Sequence, residues 1–596
     1  MNLSEVIKKL FSKPLPATRG GSFYNAFAYQ TKISPETIAV YIASLTKPGD
    51  TILDPFGGSG STAAAALMCE HPTAAMLKLA QTFGISPVWG RRNAVIYDIG
   101  VFGSFASSTI LNRITASEFE RTVNDFLLRG EEKLRNIYEA LDVNGKQGKI
   151  RYIIWSEVFT CKECKKQISY FEGGTQRNPV RFFDELQCPH CGHKQVIDSE
   201  SFVREEYFDP ILQRTMMRKK RIPAWIYGET DGVNWDRKAT SDDLRIAEES
   251  KVLLSKEILP KEICWGELYR AGYHFGITHL HHFYTVRNFI VMQTLWDIAE
   301  KYEKRLSDAL KLLLLSYNAS HSTLMTRVVA KKNSKDFVLT GAQSGVLYVS
   351  KLPVEKNILS GLKRKAKSIK EAYSELEKCT GKVTVRNQSS EKMKDENNSI
   401  DFVFTDPPFG DFIPYAEVNQ INELWLDKVT DRSREAVINP SQGVSVLQYG
   451  KMLSTIFKEV SRVTKPSAKA TVVFHAAKAE IWNALSAALD GAGLTVLQTN
   501  VLDKTQPSFK QIVSDISVRG DPLFLLQKKQ GRKRNRTLTP EVIIDKIISE
   551  CKSEKIDRKR IYSLYINWCF RSGIEIVWNA ETAYKYIESQ VQEVEN

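Results

Sequence analysis

The chain has 596 residues, a formal net charge of +14 and 42% hydrophobic residues. This length exceeds one ordinary hydrophobic core and predicts about two to four domains, and the composition excludes a disordered chain. No apolar run approaches about 18 residues, and the first residues, MNLSEVIKKLFSK, lack the features of a signal peptide, so we expect no membrane span and a cytoplasmic location.

The first motif lies in residues 47–68, KPGDTILDPFGGSGSTAAAALM. It predicts a strand at residues 51–53, a bend at Gly57, Gly58 and Gly60, and then a helix of small residues. Such a unit places helix amides at the carboxyl end of a sheet, where α/β proteins bind nucleotides. No Lys-Ser/Thr pair follows the glycines, so we expect no P-loop. A plain glycine turn is the alternative.

A second apolar strand is predicted within residues 91–100, RRNAVIYDIG, and it ends at Asp98. A carboxylate at this place can accept hydrogen bonds from the two hydroxyls of a ribose. The glycine-rich loop and the acid together predict a nucleotide-like ligand.

Four cysteines form two CxxC pairs separated by 23 residues: Cys161, Cys164, Cys188 and Cys191. This spacing is typical of a zinc ribbon, in which four thiolates surround one tetrahedral ion; iron is the alternative metal. A closed four-sulfur site leaves no open coordination position, so the metal is expected to be structural. His190 or His193 could replace a cysteine, although solvent-facing side chains are the simpler interpretation.

Three histidines begin the segment 276–302, GITHLHHFYTVRNFIVMQTLWDIAEKY, which continues as a predicted helix with an apolar stripe. Their spacing is poor for a metal site, so packing is preferred. Basic clusters at residues 214–221, 362–370 and 528–536 are predicted to be solvated faces or linkers. The positive charge is mild for this length, but it is compatible with nucleic-acid binding.

The stretch VFTDPPFGDF, residues 403–412, ends an apolar run with an acid, two prolines and an aromatic ring. It predicts a buried strand at residues 401–405 that leads into a rigid loop, because proline fixes φ and lacks an amide donor. The loop would hold the Asp406 carboxylate and the Phe409 ring as a cradle for a flat group that bears an amine. A tight turn with a core phenylalanine is the alternative.

Together, DPFGGSGS and FTDPPFGDF resemble motifs I and IV of the S-adenosylmethionine-dependent amino-methyltransferases of DNA. The segment 24–38, YNAFAYQTKISPETI, is similar to the part of those enzymes that closes over the methionine portion of the cofactor. With the CxxC pairs, GITHLHHFYTVRN and VVFHAAKAEIWNAL, the resemblance sharpens to the adenine-specific DNA methylases that contain a zinc ribbon. It runs from about Tyr24 to Lys529, with gaps in the middle.

The resemblance implies an α/β fold with a Rossmann-like, seven-stranded class I methyltransferase sheet. The cofactor half would span residues 1–113 and the catalytic half residues 381–530, separated by an insertion at 114–380 with the ribbon at about 155–200. Further strands are predicted at 382–387, 470–475, 495–503 and 521–529. Residues 531–596 are expected to form a basic linker and a small helical module, which either binds DNA or a partner or packs as an appendage.

The family also implies site residues. Those expected to bind the cofactor are Tyr29, Thr31, Lys32, Asp54, Pro55, Phe56, Gly57, Gly58, Ser59, Gly60, Asp98 and Asn387. Those expected to be catalytic are Asp406, Pro407, Pro408 and Phe409. Asp406 and the Pro407 carbonyl would accept the amine's N–H groups, and Phe409 would stack on a base flipped out of the duplex. Tyr415 and Glu417 are expected to pack rather than to contact the base.

The expected function is therefore methylation of the N6 amino group of adenine in double-stranded DNA, with S-adenosylmethionine as cofactor and Zn²⁺ as a structural ion. N4-cytosine methylation, RNA guanine-amine methylation, glutamine-amide methylation and an inactive DNA-binding scaffold are the alternatives. A restriction-modification or phage-defence role would need a separate nuclease or defence subunit. No membrane partner is expected.

Overall fold

The computed structural model describes residues 2–17, 19–198, 201–249, 254, 258–331, 334–504, 521–529, 538–550 and 558–595. The chain forms two compact units. The first contains Met1–Thr115, Glu371–Ala416 and Val429–Asn596, and the second contains Ala116–Lys370 and Glu417–Lys428.

The strands, numbered in chain order, cover both units. They are β1 Leu15–Ala17, β2 Thr51–Asp54, β3 Asn93–Tyr97, β4 Glu139–Leu141, β5 Gln147–Thr160, β6 Gln167–Ser169, β7 Thr175–Gln176, β8 Arg181–Phe182, β9 Glu185–Gln187, β10 Lys194–Val196, β11 Arg204–Asp209, β12 Arg214–Lys219, β13 Arg221–Thr230, β14 Val233–Lys238, β15 Arg327–Val329, β16 Val338–Thr340, β17 Val354–Lys356, β18 Val383–Arg386, β19 Ile400–Thr405, β20 Thr464–Val473, β21 Leu494–Lys504 and β22 Asp521–Lys528.

The α-helices are numbered in the same way. They are α1 Leu3–Leu10, α2 Ser22–Ala26, α3 Pro35–Leu45, α4 Ser61–Met68, α5 Ala74–Thr82, α6 Val101–Ile110, α7 Ala116–Lys133, α8 Tyr170–Gly173, α9 Ser241–Glu249, α10 Ala271–His274, α11 Val286–Ala299, α12 Lys304–Tyr317, α13 Ile358–Leu376, α14 Tyr415–Glu423, α15 Val446–Val463, α16 Ala479–Gly491, α17 Pro540–Glu550, α18 Arg558–Ser572 and α19 Ala580–Glu595.

A mixed eight-stranded sheet organises the first unit, in the order β1-β21-β22-β20-β19-β2-β3-β18. The run from β20 to β18 is parallel, whereas β22 is antiparallel to both of its neighbours. Apolar sequences such as IDFVFT form these strands because a sheet covered by helices on both faces buries nearly every strand residue. The α/β expectation is confirmed. The sheet has one strand more than the seven expected, because β1 pairs in parallel with β21.

The parallel register brings four strand ends to one edge of this sheet. Asp54 at the end of β2 pairs with Ile96 in β3, and Tyr97 pairs with Arg386 at the end of β18. On the other side, Val403 of β19 pairs with Leu53 of β2. The loops that follow β2, β3, β18 and β19 therefore all begin at the same edge, which is where parallel sheets bind ligands.

The C-terminal helices pack on the same sheet. The Phe570 ring of α18 stacks on Phe524 of β22 with centroids 4.4 Å apart, and the Asn567 amide donates to the Asn500 carbonyl of β21. Helices α17 to α19 thus share the hydrophobic core of the first unit. Most of the predicted basic linker, residues 530–537, lies outside the described residues.

The second unit is built around the long strand β5, in a sheet of order β14-β13-β5-β17 to which β4 and β6 add at β5. Its interior contains ion pairs: Glu157 contacts Lys219 at 3.1 Å and Arg221 at 3.0 Å. Lys219 is 4% exposed, so the prediction that residues 214–221 form a solvated face is wrong there. Lys219 is the last residue of β12 and the one residue of this strand that is buried, where its ammonium has Glu157 as a partner.

Among the described residues, no helix combines the length and the apolar composition that a membrane span requires.

Candidate functional site

The glycine-rich loop joins β2 to α4 and follows a tight backbone path. The Gly57 amide donates to the Tyr97 carbonyl at 2.8 Å, and Gly60 caps α4 in the left-handed region with φ of 80°. Gly58 also has positive φ, and a Cβ there would lie 3.0 Å from the Tyr29 ring. A side chain at Gly58 would crowd this ring, so the glycine lets Tyr29 pack directly against the loop backbone.

Asp54, the last residue of β2, is buried and fully engaged. Its carboxylate accepts from the Phe56 amide at 3.1 Å, the Thr62 hydroxyl at 2.7 Å and the Thr405 hydroxyl at 2.8 Å. Burial raises the pKa of Asp54 to about 6, although the hydrogen bonds from Thr62 and Thr405 act in the opposite direction. The residue braces β2, β19 and α4, and so positions the loop.

Further contacts, both from outside the loop and within it, hold the other loop residues. The Pro55 carbonyl accepts a hydrogen bond from the Ser390 hydroxyl at 2.5 Å. The Phe56 ring packs half-buried against the core, and the Ser59 and Ser61 hydroxyls lie 3.1 Å apart. The loop is therefore a rigid platform.

Asp98 follows β3 and reaches the glycine loop. Its two carboxylate oxygens accept from the Gly58 and Gly100 amides, each at 2.5 Å. The Asn387 side-chain amide donates to the Asp98 and Ile99 carbonyls, both at 3.1 Å. The structure thus brings Asp98, Asn387 and the loop together at the sheet edge.

The segment before α3 contributes Tyr29 and Thr31 to the same place. The Tyr29 ring is stacked between Phe102 and Tyr415, with centroid distances of 6.2 Å and 6.5 Å. The Thr31 hydroxyl lies 3.1 Å from that of Tyr415, and Thr31 has a φ of 53°. Tyr29 therefore lies against the glycine loop at Gly58.

Lys32 has different neighbours. Its ammonium donates to the carbonyls of Phe23 at 2.8 Å and Phe27 at 3.2 Å, and lies 3.8 Å from the centre of the Phe27 ring. The charge compensates the carbonyl groups at the end of α2. In this arrangement Lys32 orders the segment, while its expected contact with a cofactor stays a prediction.

The DPPF corner follows β19. Asp406 and Pro408 are half-buried and Pro407 is buried. The Pro408 carbonyl accepts from the Tyr449 hydroxyl at 2.7 Å and the Gly410 amide at 3.0 Å. Two donors therefore hold this carbonyl and fix the corner.

The Phe409 ring points into the core. It is 4% exposed and lies edge-on to Phe474 with centroids 5.5 Å apart. Phe412 covers it from the side at 6.3 Å. This is the position that the core-phenylalanine alternative describes.

Two half-buried aromatic side chains near the corner are absent from the set of residues predicted to be catalytic: Phe412 and Tyr415. Burial raises the pKa of the Tyr415 phenol, and the negative charge of Asp406 adds to this effect, so Tyr415 remains a neutral hydroxyl. Glu417, by contrast, accepts from the Gly266 and Leu268 amides at 2.7 Å and 3.1 Å, as expected for packing. The sequence signal that could have added Phe412 to the predicted site is an aromatic residue three positions after Phe409.

The four cysteine sulfurs in the second unit all lie within 4.8 Å of one another. The Cys161 and Cys191 sulfurs are 3.7 Å apart, as are those of Cys164 and Cys188. The predicted grouping is confirmed, and such a group could hold a metal ion. Histidine does not replace a cysteine, because neither His190 nor His193 belongs to this group. We name these side chains the cysteine cluster.

Both CxxC turns have the same backbone geometry. The Lys165 amide donates to the Cys161 carbonyl at 3.1 Å, and the Gly192 amide donates to the Cys188 carbonyl at 2.9 Å. Lys165 and Gly192 are left-handed, with φ of 60° and 76°. Each turn directs its two sulfurs to one point.

A second group of metal-ligand types is formed by Asp209, His281 and His282, which we name the histidine cluster. The Asp209 carboxylate lies 2.9 Å from His281 Nε2 and 2.7 Å from His282 Nε2. Sequence patterns missed it because 72 residues separate Asp209 from His281.

Hydrogen bonds determine the tautomer of His282. Its Nδ1 accepts from the Thr278 amide at 3.1 Å and faces the His279 amide at 3.3 Å, so a neutral ring carries its proton on Nε2. That proton points at Asp209. A metal-bound histidine instead donates its second ring N–H to an acceptor. In this tautomer the Nε2 atom of His282 carries a proton and is not free to bind a metal ion, so we interpret the histidine cluster as a hydrogen-bonded group.

Residues 4–71 match the family model N6_N4_Mtase, described as DNA methylase. No curated protein matches the chain. Among solved structures, the antibiotic-resistance methyltransferase Kmr aligns with 12% identity and a TM-score of 0.15, over 25% of this chain and 63% of that one. A TM-score this low does not establish a shared fold. The chain is thus similar in its N-terminal part to DNA methylases.

Proposed function

We propose that this protein transfers a methyl group from S-adenosylmethionine to the N6 amino group of adenine in double-stranded DNA. The observation that carries the proposal is the placement of the glycine loop and the DPPF corner at neighbouring strand ends. The Thr405 hydroxyl donates to Asp54, so the two loops leave the sheet side by side. The family match over residues 4–71 supports the same interpretation.

The cofactor site is proposed at the glycine loop, with Asp98, Asn387 and Tyr29 around it. The Tyr29 ring packed against Gly58 offers an aromatic face beside the loop, and the half-buried Asp98 carboxylate fits the hydroxyls of a ribose. When bound, S-adenosylmethionine supplies an electrophilic methyl group on a sulfonium. The chain's own contribution is to position that group beside the corner.

The amine would bind at the corner itself. The lone pair of an exocyclic amino nitrogen is delocalised into the ring, so the nitrogen is a weak nucleophile. Asp406 and the Pro407 carbonyl would accept hydrogen bonds from its two N–H groups and favour a pyramidal nitrogen. The Pro408 carbonyl is already held by Tyr449 and Gly410, which leaves the Pro407 carbonyl as the second acceptor.

The aromatic contacts differ from the simplest expectation. Because Phe409 is covered by Phe474 and Phe412, it would stack on a flipped base only after Phe412 moves aside. Phe412 and Tyr415 are the half-exposed rings that can meet the base first.

In the second unit, the cysteine cluster fits Zn²⁺ as a closed, structural ion, with iron as the alternative. The same corner would accept the amine of cytosine equally well, so N4-cytosine methylation is the second candidate. Any restriction or defence activity would depend on a separate nuclease subunit.

The test is direct. The purified protein is incubated with S-adenosylmethionine and unmethylated DNA, and the digested nucleosides are analysed by mass spectrometry. We expect N6-methyladenine; N4-methylcytosine would keep the mechanism and change the base. A parallel RNA sample that alone becomes modified, or two unmodified samples, would contradict the proposal.

Asp406→Ala should lower the methylation rate by at least about 1000-fold, because both the charge and the acceptor are lost, while cofactor binding by calorimetry changes little. Asp411→Ala is the matched control, since this exposed acid pairs with Lys478 at 2.7 Å outside the corner. Full activity of Asp406→Ala would contradict the proposal that Asp406 accepts a hydrogen bond from the amine.

A further inference from the structure

Four basic side chains converge at one place in the second unit: His321, Lys356, Arg364 and Lys365. They come from three separate segments, namely the turn after α12, the end of β17 and one face of α13. The positive charges of Lys356, Arg364 and Lys365 all act on His321. Charges of one sign that meet from three segments repel one another, so the arrangement requires an explanation.

Close packing of α13 against Tyr317 forms this group. A Cβ at Gly361 would clash with the Tyr317 hydroxyl, so the glycine lets the helix approach. Arg364 and Lys365 follow three and four residues later, on the same helix face as Gly361. The Tyr317 ring lies 4.7 Å from the His321 ring, which completes the group.

No acid offsets this charge on two of its members. Among the described residues, no carboxylate forms an ion pair with Lys356 or Arg364, whereas Lys370 on the same helix pairs with Glu120 at 2.6 Å. His321 Nδ1 is buried and has no hydrogen-bond partner. The Arg364 guanidinium does contact the Tyr317 hydroxyl, but that contact does not neutralise its charge. A buried polar atom without a partner, beside cations that have no carboxylate partner, is costly unless a ligand satisfies both.

The pKa values of the two lysines also reflect an environment that disfavours positive charge. Burial lowers the pKa of Lys356 to about 8, and the charge of Arg364 adds to the effect. Burial lowers the pKa of Lys365 to about 8 as well. An anion would reverse these shifts by favouring the charged lysines.

We propose that His321, Lys356, Arg364 and Lys365 form a phosphate-binding site, and that its occupant is a phosphodiester of the DNA backbone. Arg364 is exposed and offers a planar fork of donors for a phosphate, while Lys356 and Lys365 are half-buried. The neutral His321 ring can direct an N–H toward the same anion. Such a contact would position DNA without reading its sequence.

The choice of DNA rests on the proposed function, but the choice of phosphate does not. Inorganic phosphate is therefore the first probe. The thermal midpoint of the full chain is measured in phosphate and in chloride at equal ionic strength. The variant is Lys356→Gln with Arg364→Gln, and the control is Lys363→Gln with Lys367→Gln, which changes two exposed lysines of α13.

We expect phosphate to raise the midpoint of the wild type and the control but not that of the variant. In chloride, the variant should be as stable as the wild type or more stable, because mutual repulsion is removed. A purely structural role predicts the opposite, namely a variant destabilised in both salts. An equal response of variant and control to phosphate would overturn the site.

The second probe is a DNA duplex, titrated at several salt concentrations. The slope of log K against log salt should fall by about one in the variant and stay unchanged in the control. If the variant loses the stabilisation by phosphate but keeps the salt slope of the wild type, DNA is overturned as the occupant and the site is assigned to a free phosphate. If the wild type binds no DNA, the proposed function fails, while the phosphate measurement still decides the site.

Discussion

The cysteine cluster and the histidine cluster both gather metal-ligand side chains in the second unit, yet their surroundings differ. Around the cysteines, two matching turns direct four sulfurs to one point, and backbone amides of these turns satisfy the cysteine carbonyls. Around His282, backbone amides donate to the ring itself and leave its only proton facing Asp209. The ligand atoms are within 4.8 Å of one another in both clusters, but in the histidine cluster the proton of His282 lies between two of them.

The comparison shows that ligand identity and distance are insufficient to define a metal site. A cysteine thiol needs only to lose its proton to become a ligand, and its side chain has no second polar atom that must be satisfied. A histidine ligand must keep a proton on its other nitrogen, so its second hydrogen bond decides whether it can bind a metal. The following measurements test this distinction.

Replacing Cys161 and Cys188 by serine should have the largest effect. We expect the metal content to fall from one ion per chain to none, and the second unit to lose stability on the order of 10 kcal/mol, since metal binding is coupled to folding. Elemental analysis and chemical unfolding measure both. Cys264→Ser, at an exposed cysteine outside the cluster, is the control. A double variant that retains its metal would refute the ligand assignment.

Replacing His281 and His282 by alanine should leave the metal content unchanged. The buried Asp209 carboxylate would lose two charge-stabilising donors, so unfolding should become easier by about 3 to 5 kcal/mol. The exposed His190→Ala is the control. Loss of a second metal ion in the double variant would show that the tautomer argument is wrong.

The stability of the histidine cluster should decrease in acid. Burial lowers the pKa of His282 from 6.5 to about 4, while the facing Asp209 acts in the opposite direction and the neighbouring His281 and His279 add to the lowering. Tyr207 also faces the ring, at 2.9 Å from Nε2.

Between pH about 6.5 and 4 the unfolded chain therefore binds a proton that the folded chain does not, and stability falls with falling pH. The loss should reach up to about 3 kcal/mol, and His282→Gln should flatten it. Urea unfolding across this range measures the slope, with His190→Gln as the control. An equally steep slope in His282→Gln would contradict the assignment.

The left-handed residues of the CxxC turns should give the smallest effect. Gly192→Ala puts a Cβ on a backbone with φ of 76°, which should cost about 1 kcal/mol and lower the metal affinity about fivefold. Lys165→Gly should raise the affinity by a similar factor. Competition with a chelator measures both, and Gly20→Ala, with nothing near its Cβ, is the control. Unchanged affinities would mean that the turns do not preorganise the sulfurs.

Much of the eight-stranded sheet is encoded in short apolar runs that are followed by proline or another residue that ends a strand. Strands β2 and β19, Thr51–Asp54 and Ile400–Thr405, begin and end within one residue of the predicted positions. Each has apolar residues in its middle, and each is followed by Pro55 or by Asp406 and two prolines. The CxxC pairs were equally readable, because each turn specifies its own geometry within a few residues.

Other features depend on packing between distant segments. The Thr405 hydroxyl meets Asp54 across 351 residues, and no local pattern shows that the acid of the first motif would brace the second. The inward position of Phe409 also depends on a distant segment. A ring after a proline corner can face a ligand or the core, and the contact with Phe474 stabilises the core position. Lys219, in a basic run, is buried beside a partner acid, Glu157, which comes from β5 in a different sheet.

The sequence by itself thus specifies the strands, the residues that end them and the CxxC turns, because each depends on the conformational preferences of a few consecutive residues. Which polar atoms meet depends on strand order and helix packing, where each contact depends on the position of the whole element. The four like charges around His321 illustrate this limit. Their residue types are visible in the sequence, but their convergence follows from the close approach of α13 to Tyr317.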